Sequence, residues 1–388
     1  MAVVATMFTL LHEDSGTRAR RGRLVLPHGE VETPVFMPVG TQGAVKTLHP
    51  DDLRGLGAGI ILGNTYHLFL RPGLDVLREL RGLHAFSTWD RCLLTDSGGF
   101  QVWSLAKLRK ISEEGVHFQN HLNGAPMFLS PEVSMEIQGV LGSDIAMIFD
   151  ECPPYPCDRA YAENSTELTT RWGARCRKWI DSHRPQSGGG LGRQHHFGIV
   201  QGSVYADLRE KSARALVDVG FDGYAIGGVS VGEPEEEMLR AIDHATPFLP
   251  KDKPRYAMGL GTPPQILRMV ARGVDMFDCV HPTRAARHGL AFTADGPLNL
   301  KNARFEKDPA PLHEDTHEAV RPFSRAYLRH LFKAGELLAL RLLTLHNLHF
   351  YLGLMAQARE AIAANRYAEF MEETILRYER RGLASDGE

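Results

Sequence analysis

The sequence predicts an α/β protein built on an irregular (β/α)8 barrel, and three observations carry that prediction. Short apolar runs recur, each ending in a polar or glycine-rich cluster: GIILGNTYH (59–67), CLLTDSGGF (92–100), IAMIFDEC (145–152), FGIVQGS (197–203), GYAIGGVS (223–230), YAMGLG (256–261) and VDMFDCV (274–280). Segments of helical periodicity lie between several of them, such as YADLREKSARALVDVG (205–220) and PPQILRMVARG (263–273). Such alternation makes parallel strands joined by crossover helices. The number of units favours a closed barrel over an open doubly wound sheet, the alternative architecture. In a barrel the polar ends of the runs meet on one rim, where barrel enzymes place their chemistry.

Taken in order, the opening MAVVATMFTLL reads as a first β-strand: it lacks a basic leader and a small-residue cleavage site. No later stretch approaches the roughly 20 apolar residues of a membrane span. RPQSGGGLGRQHH (184–196) reads as a flexible glycine-rich surface connection without chemistry. From KNARFEKDPAPLHEDTHEAVRPF (301–323) the composition turns to loop, and helices follow over 324–362. The expected organisation is a catalytic core at 1–300, a helical subdomain at 301–362, and a C-terminal helix and tail at 363–388.

The 388 residues are 43% hydrophobic, enough for one large core. A net charge of −3 gives no global attraction to nucleic acid, so an anionic partner must be held by a local basic patch. The five cysteines, Cys92, Cys152, Cys157, Cys176 and Cys279, are odd in number and lack CxxC spacing. That argues against a disulfide scaffold and a cysteine-rich zinc site, and fits a reducing cytoplasm.

Two acids stand at the ends of runs. Asp96 lies in TDSGGFQ, where Gly98 and Gly99 let backbone approach a ligand, and Asp278 lies in MFDCV. A pair of carboxylates facing an anomeric carbon is the equipment of double displacement, one attacking and the other moving protons, roughly 5 Å apart. Each could equally cap a helix or satisfy turn amides, and spacing alone does not decide. In PLHEDTHEAVRPFS, His313 and His317 stand four apart among Glu314, Asp315 and Glu318, with a second pair, His346 and His349, in LHNLHFY. That pattern fits a metal site or a solvated loop.

The ordered motifs TPVFMPVGTQGAVK (33–46), NTYHLFLRPG, LTDSGGFQVWSL, FDEC, VQGSVY, GGVSVGE, MFDCVHPTR and LHNLHFY (345–351) resemble the bacterial tRNA-guanine transglycosylases, of the queuine tRNA-ribosyltransferase family. The resemblance implies an irregular barrel with a zinc-bearing insertion near its C-terminal end. It also implies the exchange of guanine at the tRNA wobble position for 7-aminomethyl-7-deazaguanine, through a covalent Asp–ribose intermediate, in queuosine synthesis. By residue, Asp278 matches the nucleophile and Asp96 the general acid/base. Asp150, Gln201 and the backbone at Gly228 and Val229 match the groups that read the guanine edge. A carboxylate can accept from its N–H groups, while amide and backbone N–H donate to O6. Phe100 matches a ring that stacks on the base, Met258 covers the opposite face, and Cys152 with Val231 matches the bacterial pocket. Arg284 and Arg287 match anticodon-loop contacts, and Arg321, Arg325, Arg329 and Lys333 could extend a phosphate-binding surface.

The resemblance breaks at the metal. The family carries CxCxxC with a later histidine, matched here by His346, and all three cysteines are missing. Their places fall near Asp315, His317 and Val320, which leaves at most Asp315, His317 and His346 as ligands, with His313 as a replacement. The expectation is that the structural zinc is lost and no other cofactor is needed. The subdomain would then rely on Phe323, Tyr327, Leu328, Leu331 and Phe332 packing against Leu342, Leu343 and Leu345. The resemblance further implies a cytoplasmic homodimer with tRNA as partner and no membrane. Two rival functions remain at this point. A non-catalytic RNA-binding homologue is disfavoured by the presence of both Asp96 and Asp278. A glycoside hydrolase is disfavoured by a recognition group suited to a purine and by the lack of a tryptophan-rich sugar platform.

Overall fold

The computed structural model describes residues 6–105, 109–183 and 194–385. Eight parallel strands form its centre: β1 (Val35–Met37), β2 (Ile60–Gly63), β3 (Cys92–Thr95), β4 (Ile145–Met147), β5 (His195–Val200), β6 (Gly223–Ile226), β7 (Arg255–Ala257) and β8 (Met276–Asp278). Their hydrogen-bonded order is β1-β8-β7-β6-β5-β4-β3-β2. The ring closes where Val39 pairs with Leu62, through Gly40 N–H to Leu62 O at 2.7 Å and Leu62 N–H to Pro38 O at 3.0 Å. The fold is therefore an irregular (β/α)8 barrel. Side chains of β2, β3, β4 and β6 are buried at every position, as parallel strands covered on both faces require.

The helices between strands begin and end where local chemistry dictates. Helix Pro131–Leu141 starts at Ser130, whose hydroxyl accepts from Val133 N–H, has proline in its first turn, and stops at left-handed Gly142. Helix Pro263–Val270 starts on a reciprocal Thr262/Gln265 capping box. Helix α1 (Ala206–Val219) returns the chain from β5 to β6.

The apolar runs mark seven of these eight strands; β1 is not among them, its three residues being enclosed between Pro34 and Pro38. Two boundaries differ from expectation. The last two residues of RPQSGGGLGRQHH, His195 and His196, open β5, and of the flexible connection expected at 184–196, residues 184–193 lie outside the described residues. The opening strand begins at Phe8, with residues 1–5 outside the described residues, and it belongs to a separate antiparallel sheet of Phe8–Glu13, Arg20–Leu26 and Gly29–Thr33. That sheet is tied to the barrel's strand starts: buried Arg20 pairs with buried Asp275, just before β8, and His28 bonds Asp144, just before β4.

After β8 come α2 (His281–Arg287), a hairpin of Leu290–Thr293 with Gly296–Asn299, α3 (Arg325–Ala334), α4 (Leu337–Ala363) and a last helix, Tyr367–Ser385. Helix α4 corrects the expectation about spans: at 27 residues it is long and apolar enough to cross a membrane by length and composition. Here it is a core helix. Leu345, Leu348, Tyr351, Leu354 and Met355 join the barrel core, while Ala339, Leu342 and Leu343 join a second cluster with Val320, Leu328 and Leu331. The packing expected for that second cluster is corrected at two residues. Tyr327 is exposed and stacks on Phe323, and Leu345 packs in the barrel core.

Candidate active site

The C-terminal ends of the strands surround a cavity of about 490 Å³, and its lining brings together residues far apart in sequence. Asp96, Phe100, Asp150, Cys152, Gln201, Gly228, Val229, Val231, Met258, Asp278, Arg284 and Arg287, all named from the sequence, line this one space.

Asp278 is the last residue of β8. The Tyr256 hydroxyl donates to its Oδ1 at 2.5 Å and Gly259 N–H donates to the same oxygen at 2.8 Å. Oδ2 has no donor among the described residues, which leaves it as the oxygen open to an electrophile. Burial raises the Asp278 pKa, and the two bonds to Oδ1 oppose that rise.

Asp96 follows β3 and is held at both oxygens. Thr65 N–H donates to Oδ1 at 2.8 Å, while Asn64 Nδ2 at 2.5 Å and Gln101 Nε2 at 2.7 Å donate to Oδ2. Burial pushes its pKa up to about 6 against the pull of these donors, with the charge of Asp278 adding to the rise. It is poised to exchange a proton near neutral pH.

Asp150 is buried by the same cavity. Ser97 Oγ donates to its Oδ1 at 2.9 Å and Gln201 Nε2 to its Oδ2 at 2.8 Å, and burial pushes its pKa up to about 6 as well. The other end of the amide, Gln201 Oε1, is buried without a partner. Gly228 shows why a side chain is absent there: its φ is +59°, and a Cβ would stand 2.4 Å from Gln201 Oε1. Gly99 is held as tightly, since a Cβ would meet Asp150 O at 2.6 Å.

Phe100 lines the mouth at 44% exposure, and Met258 is half-buried. Cys152 is buried and its thiol is pushed far above the ordinary range by burial, next to Asp150 and Glu151, so it is no nucleophile at neutral pH. On α2, exposed Arg284 has no acidic partner among the described residues, and Arg287 Nη1 donates to Thr283 O at 2.8 Å. The outlying basic residues differ. Arg325 is engaged by Asp308 and Leu312 O, and Arg329 by Asn302 O and Glu306. Arg321 donates to Thr316 O, and Lys333 is exposed.

Several residues of the site are not singled out by the sequence. Tyr256, Asn64, Thr65, Gln101 and Ser97 hold the three acids; all lie within or beside the motifs, yet none has an obvious chemical signature alone. Arg209 on α1 is wholly buried and donates to Val200 O, Ser203 O, Gly227 O and Gly228 O, locking the ends of β5 and β6 together. Lys46 and His67 also line the cavity.

Of the residues weighed for a metal, His313 and His346 are buried, Asp315 is exposed and His317 is half-exposed. His313, Glu314 and Asp315 each offer a ligand atom within 4.8 Å of the others. His346 is pushed down to about 4 by burial, with His349, His313 and His317 all near enough to act on it. Val320 is wholly buried and apolar, so the three-thiolate arrangement has no counterpart here.

Comparison with known proteins gives one consistent family. The sequence model described as queuine tRNA-ribosyltransferase matches residues 14–380. The queuine tRNA-ribosyltransferase of Bacillus subtilis (strain 168) is 55% identical over 379 residues, 97% of each chain. That of Pelotomaculum thermopropionicum is 53% identical over 377 residues, 97% of this chain and 100% of that one. That of Desulforudis audaxviator is 55% identical over 370 residues, 95% of this chain and 97% of the other. With a match that spans the barrel, the cavity and α4 alike, the chain belongs to the queuine tRNA-ribosyltransferase family.

Proposed function

We propose that this chain is a tRNA-guanine transglycosylase, exchanging guanine at the anticodon wobble position for 7-aminomethyl-7-deazaguanine by double displacement. The observation that carries it is the pair of acids in one cavity: half-buried Asp278 with Oδ2 undonated among the described residues, and buried Asp96 tuned to hold a proton near pH 6. Asp278 Oδ2 attacks C1′ of the ribose, the C1′–N9 bond breaks, and the departing guanine takes the proton held by Asp96. The incoming base then gives its N9 proton back to Asp96 as its nitrogen displaces Asp278 from C1′. Atoms and charge balance within the two acids, the ribose and the two bases, so the exchange draws on no cofactor.

Asp150 accepts from the N1–H and 2-amino group of the base, while a hydrogen of the Gln201 amide and the backbone N–H at Val229 donate to O6. Phe100 and Met258 sandwich the ring, and Cys152 with Val231 forms the wall that selects the small 7-aminomethyl substituent. Arg284 and Arg287 grip the anticodon loop while the target nucleotide is turned into the cavity. The working form is a cytoplasmic homodimer, and the thiolate zinc of the family is not built by this chain. Labelled guanine incubated with enzyme and tRNA tests the reading: label enters the tRNA, and a tRNA–protein adduct survives denaturing electrophoresis. A protein that binds tRNA without incorporating label, or one that releases free guanine by hydrolysis, would overturn it. Sedimentation of the purified protein tests the dimer.

A further inference from the structure

Behind the cavity stands Arg209, wholly buried and without an ion-pair partner among the described residues. Burial pulls its guanidinium down to about 10, which leaves it charged at neutral pH. Desolvating a charge without an opposite one is costly, and neutral groups can also bond to carbonyls, so the charge itself calls for a reason. Two of its bonds supply one. Nη1 donates to Gly227 O at 2.6 Å and Nη2 to Gly228 O at 3.0 Å, while Nε on Ser203 O and Nη1 on Val200 O hold the guanidinium in place. The left-handed turn at Gly228, φ +59°, lets two successive carbonyls face one cation. In a trans peptide the N–H points opposite the C=O. The N–H groups of the same two peptides, those of Gly228 and Val229, therefore point away from Arg209, towards the cavity that both residues line. Gly228 N–H acts on the thiol of Cys152 in the cavity wall, and Val229 N–H has no hydrogen-bond partner among the described residues.

We propose that Arg209 is a positioning residue of base exchange: through the Gly227 and Gly228 carbonyls it aims and polarises the Gly228 and Val229 N–H groups, which then take up the negative charge that reaches O6 while the C1′–N9 bond breaks. The role rests on the base-exchange reading and adds to it where that charge goes. As C1′–N9 breaks, its electron pair stays on N9 of the departing guanine, and conjugation through C4, C5 and C6 passes part of it to O6 until N9 receives the Asp96 proton. A carbonyl that accepts from a cation makes the N–H of its own peptide a stronger donor, because charge in the amide shifts from nitrogen towards oxygen. Donors fixed in place before the reaction act more on a developing oxyanion than on a neutral carbonyl. Asp150 and Glu151 stand together at the same edge of the base, so without Arg209 the pocket would oppose a departing anion.

The test compares the full-length wild type with Arg209→Lys, which keeps a cation but loses the fork that spans both carbonyls, and with Arg209→Met, which removes the charge. Each is read by its melting curve, by guanine affinity in calorimetry, and by the single-turnover rate of tRNA adduct formation. The rate should fall by about tenfold in Arg209→Lys and by about 100-fold in Arg209→Met, while guanine affinity in Arg209→Lys changes by less than about threefold. A residue that only shapes the pocket would cost affinity at least as much as rate. Infrared difference spectra of guanine carrying ¹⁸O at O6 read the polarisation directly: the C6 carbonyl stretch of the bound base should lie lower in wild type than in Arg209→Lys. Where Arg209→Met does not melt cooperatively, Arg209→Lys and the infrared spectra decide. An identical stretch in wild type and Arg209→Lys, an unchanged rate in Arg209→Lys, or a loss of affinity that equals the loss of rate overturns the proposal. A wild type that forms no adduct overturns the base-exchange reading beneath it, and that result is in hand before any variant is made.

Discussion

The mouth of the barrel and the histidine corner both bury ionisable side chains, and they satisfy them differently. In the mouth every oxygen of Asp96 and Asp150 has a donor in place, drawn from backbone or short side chains at strand ends. In the corner, His346 Nδ1 has none. A strand end is fixed by its ladder and can hold an acid unaided; a loop such as 312–320 holds its donors only as firmly as something outside it allows. The acids of the mouth are thus held from their own chain, while in the corner a buried ring nitrogen is left over.

That contrast can be broken in order of expected effect. Asp278→Ala should lower guanine exchange by at least about 10⁴-fold and abolish the tRNA adduct, with Asp278→Asn no better because an amide is a poor nucleophile. Asp150→Asn should weaken guanine binding by about 10- to 100-fold, read by calorimetry. The same variant should stabilise the fold near pH 7. The folded pKa of Asp150 is raised to about 6, so the native carboxylate is penalised above that pH, and the penalty vanishes as pH falls towards about 4. Its removal is worth on the order of 1–3 kcal/mol at pH 7 and nothing at pH 4, and the new amide can donate to the orphaned Gln201 Oε1. Chemical denaturation at the two pH values checks the sign.

Tyr256→Phe removes one of two donors to Asp278 Oδ1. Without it the carboxylate ionises less readily, so the acidic limb of the kcat/KM profile should move to higher pH and exchange should fall by about tenfold at neutral pH. An unmoved limb would show that the hydroxyl serves only to pack. Smallest is the double variant Arg284→Ala/Arg287→Ala: the slope of log affinity for an anticodon stem-loop against log salt should drop by about 0.7 for each phosphate that these arginines neutralise. Binding of free guanine should not change.

Much of the mouth is legible in the sequence because function and pattern coincide there: an apolar run ending in an acid or a glycine marks a strand end and a site residue together, as at Asp96, Gly228 and Asp278. What escapes has no such marker. Strand β1 is enclosed between Pro34 and Pro38, and Tyr256 reads as one more apolar strand residue. Arg209 looks like the solvated face of an amphipathic helix, yet it is buried under four carbonyls. At the corner, His346 can be named from its motif, but its neighbours depend on how a loop folds back, which no periodicity encodes. His349 is visible only as half of a pair and carries no assignment for that reason.

Helix α4 also orders the assembly in time. Its Asn347 donates to Pro282 O and Leu290 O at 2.9 Å each and accepts from Phe292 N–H at 2.9 Å, pinning α2 and the strand after it. Tyr351, one turn on, donates to Gly261 O behind the cavity. A ribosome that has delivered the first 300 residues has already made Asp96, Asp150 and Asp278 and both arginines of α2. The helix that fastens those arginines to the mouth is still unmade. A nascent chain therefore holds the acids before it holds the helix that fixes α2 beside them, and premature release from the ribosome leaves the barrel core without Leu345, Leu348 and Tyr351.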